Sequence, residues 1–81
     1  MKFFYSDGFE ENLKSFPLPI RKKFYKQVSF LLNNLRHPSL DAKKYDESRG
    51  IWQARIDRKI RFYFLIKNDA YILIDIIKHP K

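Results

Sequence analysis

Hydrophobic and polar residues alternate along three consecutive runs in the second half of the chain, and successive side chains of a β-strand point to opposite faces. The first run, Ile51 to Asp57, sets Trp52, Ala54 and Ile56 against Gln53, Arg55 and Asp57. The second, Ile60 to Ile66, sets Ile60, Phe62, Phe64 and Ile66 against Arg61, Tyr63 and Leu65. The third, Ala70 to Ile77, sets Ala70, Ile72, Ile74 and Ile76 against Tyr71, Leu73, Asp75 and Ile77. Asp57-Arg58-Lys59 and Lys67-Asn68-Asp69 separate them with residues suited to turns. The pattern predicts an antiparallel meander with one packed and one wetter face. Arg55, Arg61 and Tyr63 fall on the wetter face, and His79 at its margin.

The first half changes period. Lys2 to Ser6 reads as a short strand, with Phe3 and Tyr5 on one side and Phe4 on the other. Asp7, followed three residues later by Glu10, has the form of a helix cap and its reciprocal partner. Phe9, Leu13 and Phe16 then give a short helix one apolar stripe, which Pro17 and Pro19 stop. Pro19 suits the first turn of a second helix. Along it Ile20, Phe24, Val28, Leu31 and Leu35 recur every three or four residues, opposite Arg21, Lys22, Lys23 and Lys26. This helix is expected to cover the sheet and to end near Arg36, ahead of Pro38. His37 to Arg49 reads as a polar connection carrying Lys43, Lys44, Tyr45 and Arg49, closed by Gly50. The whole predicts an α+β fold of order β-α-α-β-β-β: a small antiparallel sheet packed against a helical hairpin, as a single domain over residues 1–81.

Composition narrows the function classes. A chain of 81 residues buries only roughly 60% of its unfolded surface, so it gains from a partner. A hydrophobic content of 44% with eight phenylalanines argues against disorder. Seventeen Lys and Arg against nine Asp and Glu leave a net charge of +8, which favours polyanions or an acidic protein partner. The absence of cysteine removes disulfides, thiolate metal sites and cysteine nucleophiles, and suits a cytoplasmic protein. Met1 to Phe9 is too weakly apolar for a secretory signal, and no run approaches the ~20 apolar residues of a membrane span.

The order of these features resembles the RelE/ParE superfamily of bacterial toxin-antitoxin toxins. Leu18-Pro19 ahead of the second helix, Leu40, Lys43-Lys44, Ile51-Trp52-Gln53-Ala54-Arg55-Ile56, Lys59-Ile60-Arg61-Phe62, Asp69 to Ile77, and His79 carry the resemblance, which spans nearly the whole chain. It implies a toxin neutralised by a cognate antitoxin. In the RelE-like branch it implies cleavage of mRNA in the ribosomal A site, with no cofactor and no metal: the ribose 2′-hydroxyl attacks its own adjacent phosphate. That reaction needs a base, positive charge on the phosphorane and an acid for the leaving oxygen.

The resemblance assigns residues in turn. Arg55 matches the arginine of the family's W-x-x-R strand, and Arg61 the arginine of the next strand. A guanidinium fork holds phosphate oxygens bidentately and stays charged, which gives Arg61 a transition-state role; Arg55 shares that role or pairs with Asp57 or Asp75. His79 matches the histidine that relatives carry after the last strand, and gives or takes a proton. Lys43, Lys44, Arg49 and Tyr63 are the candidates for RNA contact. Relatives often carry a tyrosine beyond that histidine; here Tyr63, Tyr71 and Tyr45 are the candidates to replace it. Trp52 shares a face with Ala54 and Ile56, so core packing is expected of it rather than base stacking. Two other functions fit the same fold: a ParE-like inhibitor of DNA gyrase, and a non-catalytic module binding RNA or a protein partner.

Overall fold

A computed structural model describes residues 2–79. Met1, Pro80 and Lys81, which bear on the expected N-terminal character and chain end, lie outside the described residues. In chain order the elements are β1 (Lys2–Tyr5), α1 (Phe9–Lys14), α2 (Leu18–Asn33), a 3-10 turn (Pro38–Leu40), β2 (Lys43–Asp46), β3 (Ile51–Arg55), β4 (Ile60–Lys67) and β5 (Ala70–Lys78). The strands form one sheet in the order β1-β5-β4-β3-β2. The expected α+β architecture is present, and β3, β4 and β5 form the expected antiparallel meander.

The edges of the sheet go beyond the expectation. β1 pairs with β5 in parallel, Lys2 opposite Ala70 and Tyr5 opposite Leu73, so the sheet is mixed. Part of the supposed loop from His37 to Arg49 is strand β2, antiparallel to β3. Its Lys43, Lys44 and Tyr45 are exposed, and an edge strand with charged side chains carries no apolar alternation to betray it.

The core lies between the helices and one face of the sheet. Phe9 and Leu13 from α1 and Phe24, Val28 and Leu31 from α2 meet Ala54, Phe62, Phe64, Leu73 and Ile76. Phe62 stands edge-on to Phe24 with ring centres 5.5 Å apart, an arrangement that aromatic quadrupoles favour. Trp52 packs against this cluster as expected, with the Lys44 ammonium 5.3 Å over its ring. The expected start of α1 differs. The residue ahead of it is Gly8, at φ +82, with no side-chain cap, and not Asp7. α2 ends at Asn33, three residues short of Arg36, with Asn34 already extended.

A bulge decides which face of β5 is inside. Tyr63 lies opposite Asp75 but Phe64 lies opposite Leu73, so Ile74 is an extra residue on β5. The alternation therefore inverts there: Tyr71 and Leu73 join the core in place of Ile72 and Ile74, while Ile76, beyond the bulge, is inside as expected. Ile66, expected inside, is 40% exposed.

One polar side chain is built into this core. Gln27 of α2 donates through Nε2 to the carbonyls of Ser39 (3.0 Å) and Arg55 (2.7 Å), and its Oε1 accepts from the Ser39 hydroxyl. It ties α2 to the end of β3 and to the 3-10 turn. Gln27→Ala should cost about 1–3 kcal/mol, because two carbonyls lose their donor. A urea denaturation midpoint unchanged by Gln27→Ala would show that water replaces the amide at no cost.

Candidate RNA-cleaving face

The face of the sheet away from the helices carries three rows set by strand register. Arg55, Arg61 and Ile77 stand opposite one another in one row; Lys43, Gln53, Tyr63 and Asp75 form the next; Ile51, Leu65 and Ile72 form the third. Like charges directly opposite on paired strands are unfavourable, and Arg55 faces Arg61. Arg61 relieves this by turning to the β3–β4 turn, where Nη1 donates to Asp57 O at 2.6 Å and Arg58 O at 3.3 Å. Its Nε and Nη2 bond nothing among the described residues, so part of the five-donor fork stays available to an anion. The Arg55 guanidinium pairs with neither Asp57 nor Asp75. Asp57 instead accepts from the Lys59 and Ile60 amides at 3.0 Å, an Asx-type closure of the turn.

His79 belongs to the same end of the sheet. Its amide donates to Lys59 O at 2.7 Å, so the turn that anchors Arg61 also anchors His79. Its Nε2 lies 3.0 Å from the Tyr63 hydroxyl. Tyr63 is only 4% exposed, and its phenol is held above its ordinary pKa by burial first, then by the neighbouring Tyr45, with Arg61 acting in the opposite sense. Tyr63 is therefore a neutral phenol at physiological pH. It accepts from Nε2–H both of the imidazolium and of the neutral tautomer protonated at Nε2, so one hydrogen bond serves both charge states of His79. In either state Nδ1 is the ring nitrogen left for a substrate.

This settles which tyrosine stands beside the histidine. Tyr63 bonds it, Tyr45 packs edge-on against Tyr63 with ring centres 4.9 Å apart, and Tyr71 lies in the core against Phe64 on the far side of the sheet. The other candidates are dispersed. Lys43 shares the row of Tyr63, whereas Lys44 pairs with Trp52 and belongs to the helical side. Arg49 lies in the β2–β3 turn, with Nε 2.8 Å from Asp46 Oδ2. Asp75, expected only as one alternative partner of Arg55, joins this face through Tyr63; its Oδ1 accepts from Asn12 Nδ2 at 2.9 Å and from the Ile76 amide. Among the described residues no group of three or more histidine, aspartate or glutamate side chains gathers in one place.

The Asp46–Arg49 contact makes a pH prediction. Hydrogen bonds from Arg49 and then Ser48 lower the Asp46 pKa to about 2, from an ordinary 3.8. A depressed carboxyl contributes stability above its unfolded pKa, and that contribution fades as pH falls through the folded value. Both side chains meet solvent, so the effect on unfolding is small. An NMR titration should place Asp46 near pH 2, and Arg49→Ala should return it toward its ordinary value.

Neither a comparison with protein-family models nor a search of curated proteins finds a match. Solved structures do match. A YoeB/ParE toxin from Agrobacterium tumefaciens superposes with a TM-score of 0.81 at 13% identity, over 99% of this chain and 100% of its own. The RelB-RelE antitoxin-toxin complex from Methanococcus jannaschii gives 0.76 at 21% identity, over 93% and 88%. YafQ from E. coli gives 0.75 at 17% identity, over 95% and 91%. The chain has the RelE/ParE toxin fold. The RelE-like fold expected from residue order is thus present at a level of sequence identity too low to carry residue roles, which rest on the geometry above.

Proposed function

We propose that this protein is the toxin of a type II toxin-antitoxin system and acts as a ribosome-dependent, metal-independent mRNA endonuclease in the cytoplasm. The observation that carries the proposal is the Tyr63–His79 pair, anchored to the same turn and face as the opposed Arg55 and Arg61. Arg61 holds the scissile phosphate through its uncommitted N–H groups, and Arg55 adds charge from the facing strand. The 2′-oxygen attacks phosphorus while its proton passes to Nδ1 of neutral His79. The P–O5′ bond then breaks, and the same proton goes to the leaving 5′ oxygen, leaving a 2′,3′-cyclic phosphate and a 5′-hydroxyl. Tyr63 accepts from Nε2–H throughout and fixes the ring. The solved neighbours that are antitoxin-toxin complexes, from Methanococcus jannaschii and Staphylococcus aureus, support a cognate antitoxin as partner, and the net charge of +8 suits an acidic one.

The test is primer extension on stalled ribosome complexes with purified protein, naked mRNA and the His79→Gln variant. The expected result is cleavage at the A-site codon on ribosomes only, reduced about 10²–10⁴-fold in His79→Gln. Intact mRNA in the presence of folded protein overturns the nuclease. Growth inhibition that survives His79→Gln favours gyrase inhibition instead, which needs no titrating histidine.

A further inference from the structure

Two bulges flank Tyr63 on the open face, and both aim side chains at one place. On β2 the register slips between Lys44 and Asp46, so Tyr45 has no partner on β3 and is 59% exposed. On β5 the extra residue Ile74 brings two consecutive side chains, Ile74 and Asp75, to the same depression. Bulges commonly re-aim a side chain beside a functional site. The depression holds about 150 Å³ and is walled by Tyr45, Ile51, Tyr63, Ile74, Asp75 and Ile77. That is half the volume at which pockets for drug-sized ligands begin, and suits a single ring system.

We propose that this depression is a nucleobase subsite that selects a base presenting an amino group. The proposal rests on the reading of this face as RNA-binding and names what it would read there. Tyr45 supplies a stacking surface, Ile74 and Ile77 supply apolar walls, and Asp75 supplies the acceptor. A carboxylate on a face otherwise carrying Arg55, Arg61 and Lys43 repels phosphate but accepts hydrogen bonds from base edges, as acidic side chains do from the cytosine amine. Its Oδ1 is committed to Asn12 and Ile76, while Oδ2 bonds nothing among the described residues. One free acceptor oxygen matches the amino group of guanine, adenine or cytosine. It disfavours uracil, which has no amino group and whose one edge donor, N3–H, is flanked by two carbonyl oxygens that the carboxylate repels. Single-stranded RNA is read in this manner, by an unstacked base laid on an aromatic ring with its edge hydrogen-bonded. The occupant is thus the base of a nucleotide whose phosphate lies on Arg61, two residues before Tyr63 on the same strand and face.

The experiment titrates the protein with GMP, AMP, CMP, UMP and inorganic phosphate, following amide chemical shifts of Tyr45, Ile74 and Asp75. The three amino-bearing nucleotides should bind about tenfold more tightly than UMP, the discrimination of one charge-assisted hydrogen bond. Asp75→Asn keeps an acceptor for Asn12 and Ile76 but replaces the free oxygen by an amide donor, and should abolish or invert that preference. Tyr45→Ala, at an exposed position, should weaken all four nucleotides about tenfold. Equal binding of the four, shifts reproduced by phosphate alone, or a preference unmoved by Asp75→Asn overturns the subsite. Shifts at these residues that track protein concentration without nucleotide assign the depression to self-association, and also overturn it. The ribosome assay separates this from the parent reading. Nucleotide discrimination without cleavage leaves the subsite standing and removes the nuclease, whereas cleavage indifferent to Asp75→Asn does the reverse.

Discussion

Arg61→Ala is expected to reduce mRNA cleavage on ribosomes by about 10²–10³-fold, the cost of removing one preorganised donor from a developing anion. Arg61→Lys should recover only part of the loss, because an ammonium keeps the charge but not the planar fork. The same substitution has a structural cost. Nη1 satisfies the carbonyls of Asp57 and Arg58, so truncation should lower stability by about 1–2 kcal/mol. Rates and unfolding midpoints measured side by side separate the two effects. If Arg61→Ala cleaves at the parent rate while its midpoint falls, the guanidinium serves the turn alone and the assignment to the phosphate fails.

Much of this site follows from alternation, and the rest depends on events that alternation does not report. Arg55 and Arg61 face each other because both strands keep a strict period of two up to a well-marked turn. The Tyr63–His79 bond spans 16 residues and is created by the pairing of β4 with β5, which no local pattern contains. Asp75 was visible as a polar residue in an apolar strand, yet its neighbours were not, because one extra residue at Ile74 reverses every assignment on its N-terminal side. Strand β2 was hidden for a different reason. Lys43-Lys44-Tyr45-Asp46 buries no apolar face, and its pairing with β3 rests on backbone hydrogen bonds that sequence polarity does not show. Parallel pairing of β1 was likewise illegible, since a four-residue strand with Phe3 and Tyr5 inward is compatible with either direction.

The largest expected effect on stability comes from Phe62→Ala. Phe62 is fully buried, flanked by Ala54 and Ile76 across the sheet, edge-on to Phe24 and tilted against Phe64. Deleting a buried ring costs about 3–5 kcal/mol, the lost transfer free energy together with the cavity left behind. A chain of this length has roughly 4–12 kcal/mol in all, at 0.05–0.15 kcal/mol per residue. Phe62→Ala should therefore lie at or near the threshold of unfolding at 37 °C, and a bound partner should restore it by mass action. Circular dichroism against urea, with and without the proposed antitoxin, reads both. A midpoint within error of the parent would mean that the helices do not close on Phe62.

The position of β5 has a consequence for timing during synthesis. It lies between β1 and β4, yet it is made after the other four described strands. Until residues 70–78 exist, β1 has no neighbour, one edge of β4 is bare, and His79 is absent from Tyr63. Joining Lys2 to Ala70 closes a loop that spans nearly the whole described chain, a step whose entropic cost precedes any reward from contacts. A growing chain thus cannot assemble the open face in stages. The face comes into being in one late event, and in the interval before it the unpaired strand edges are open to whatever segment reaches them first.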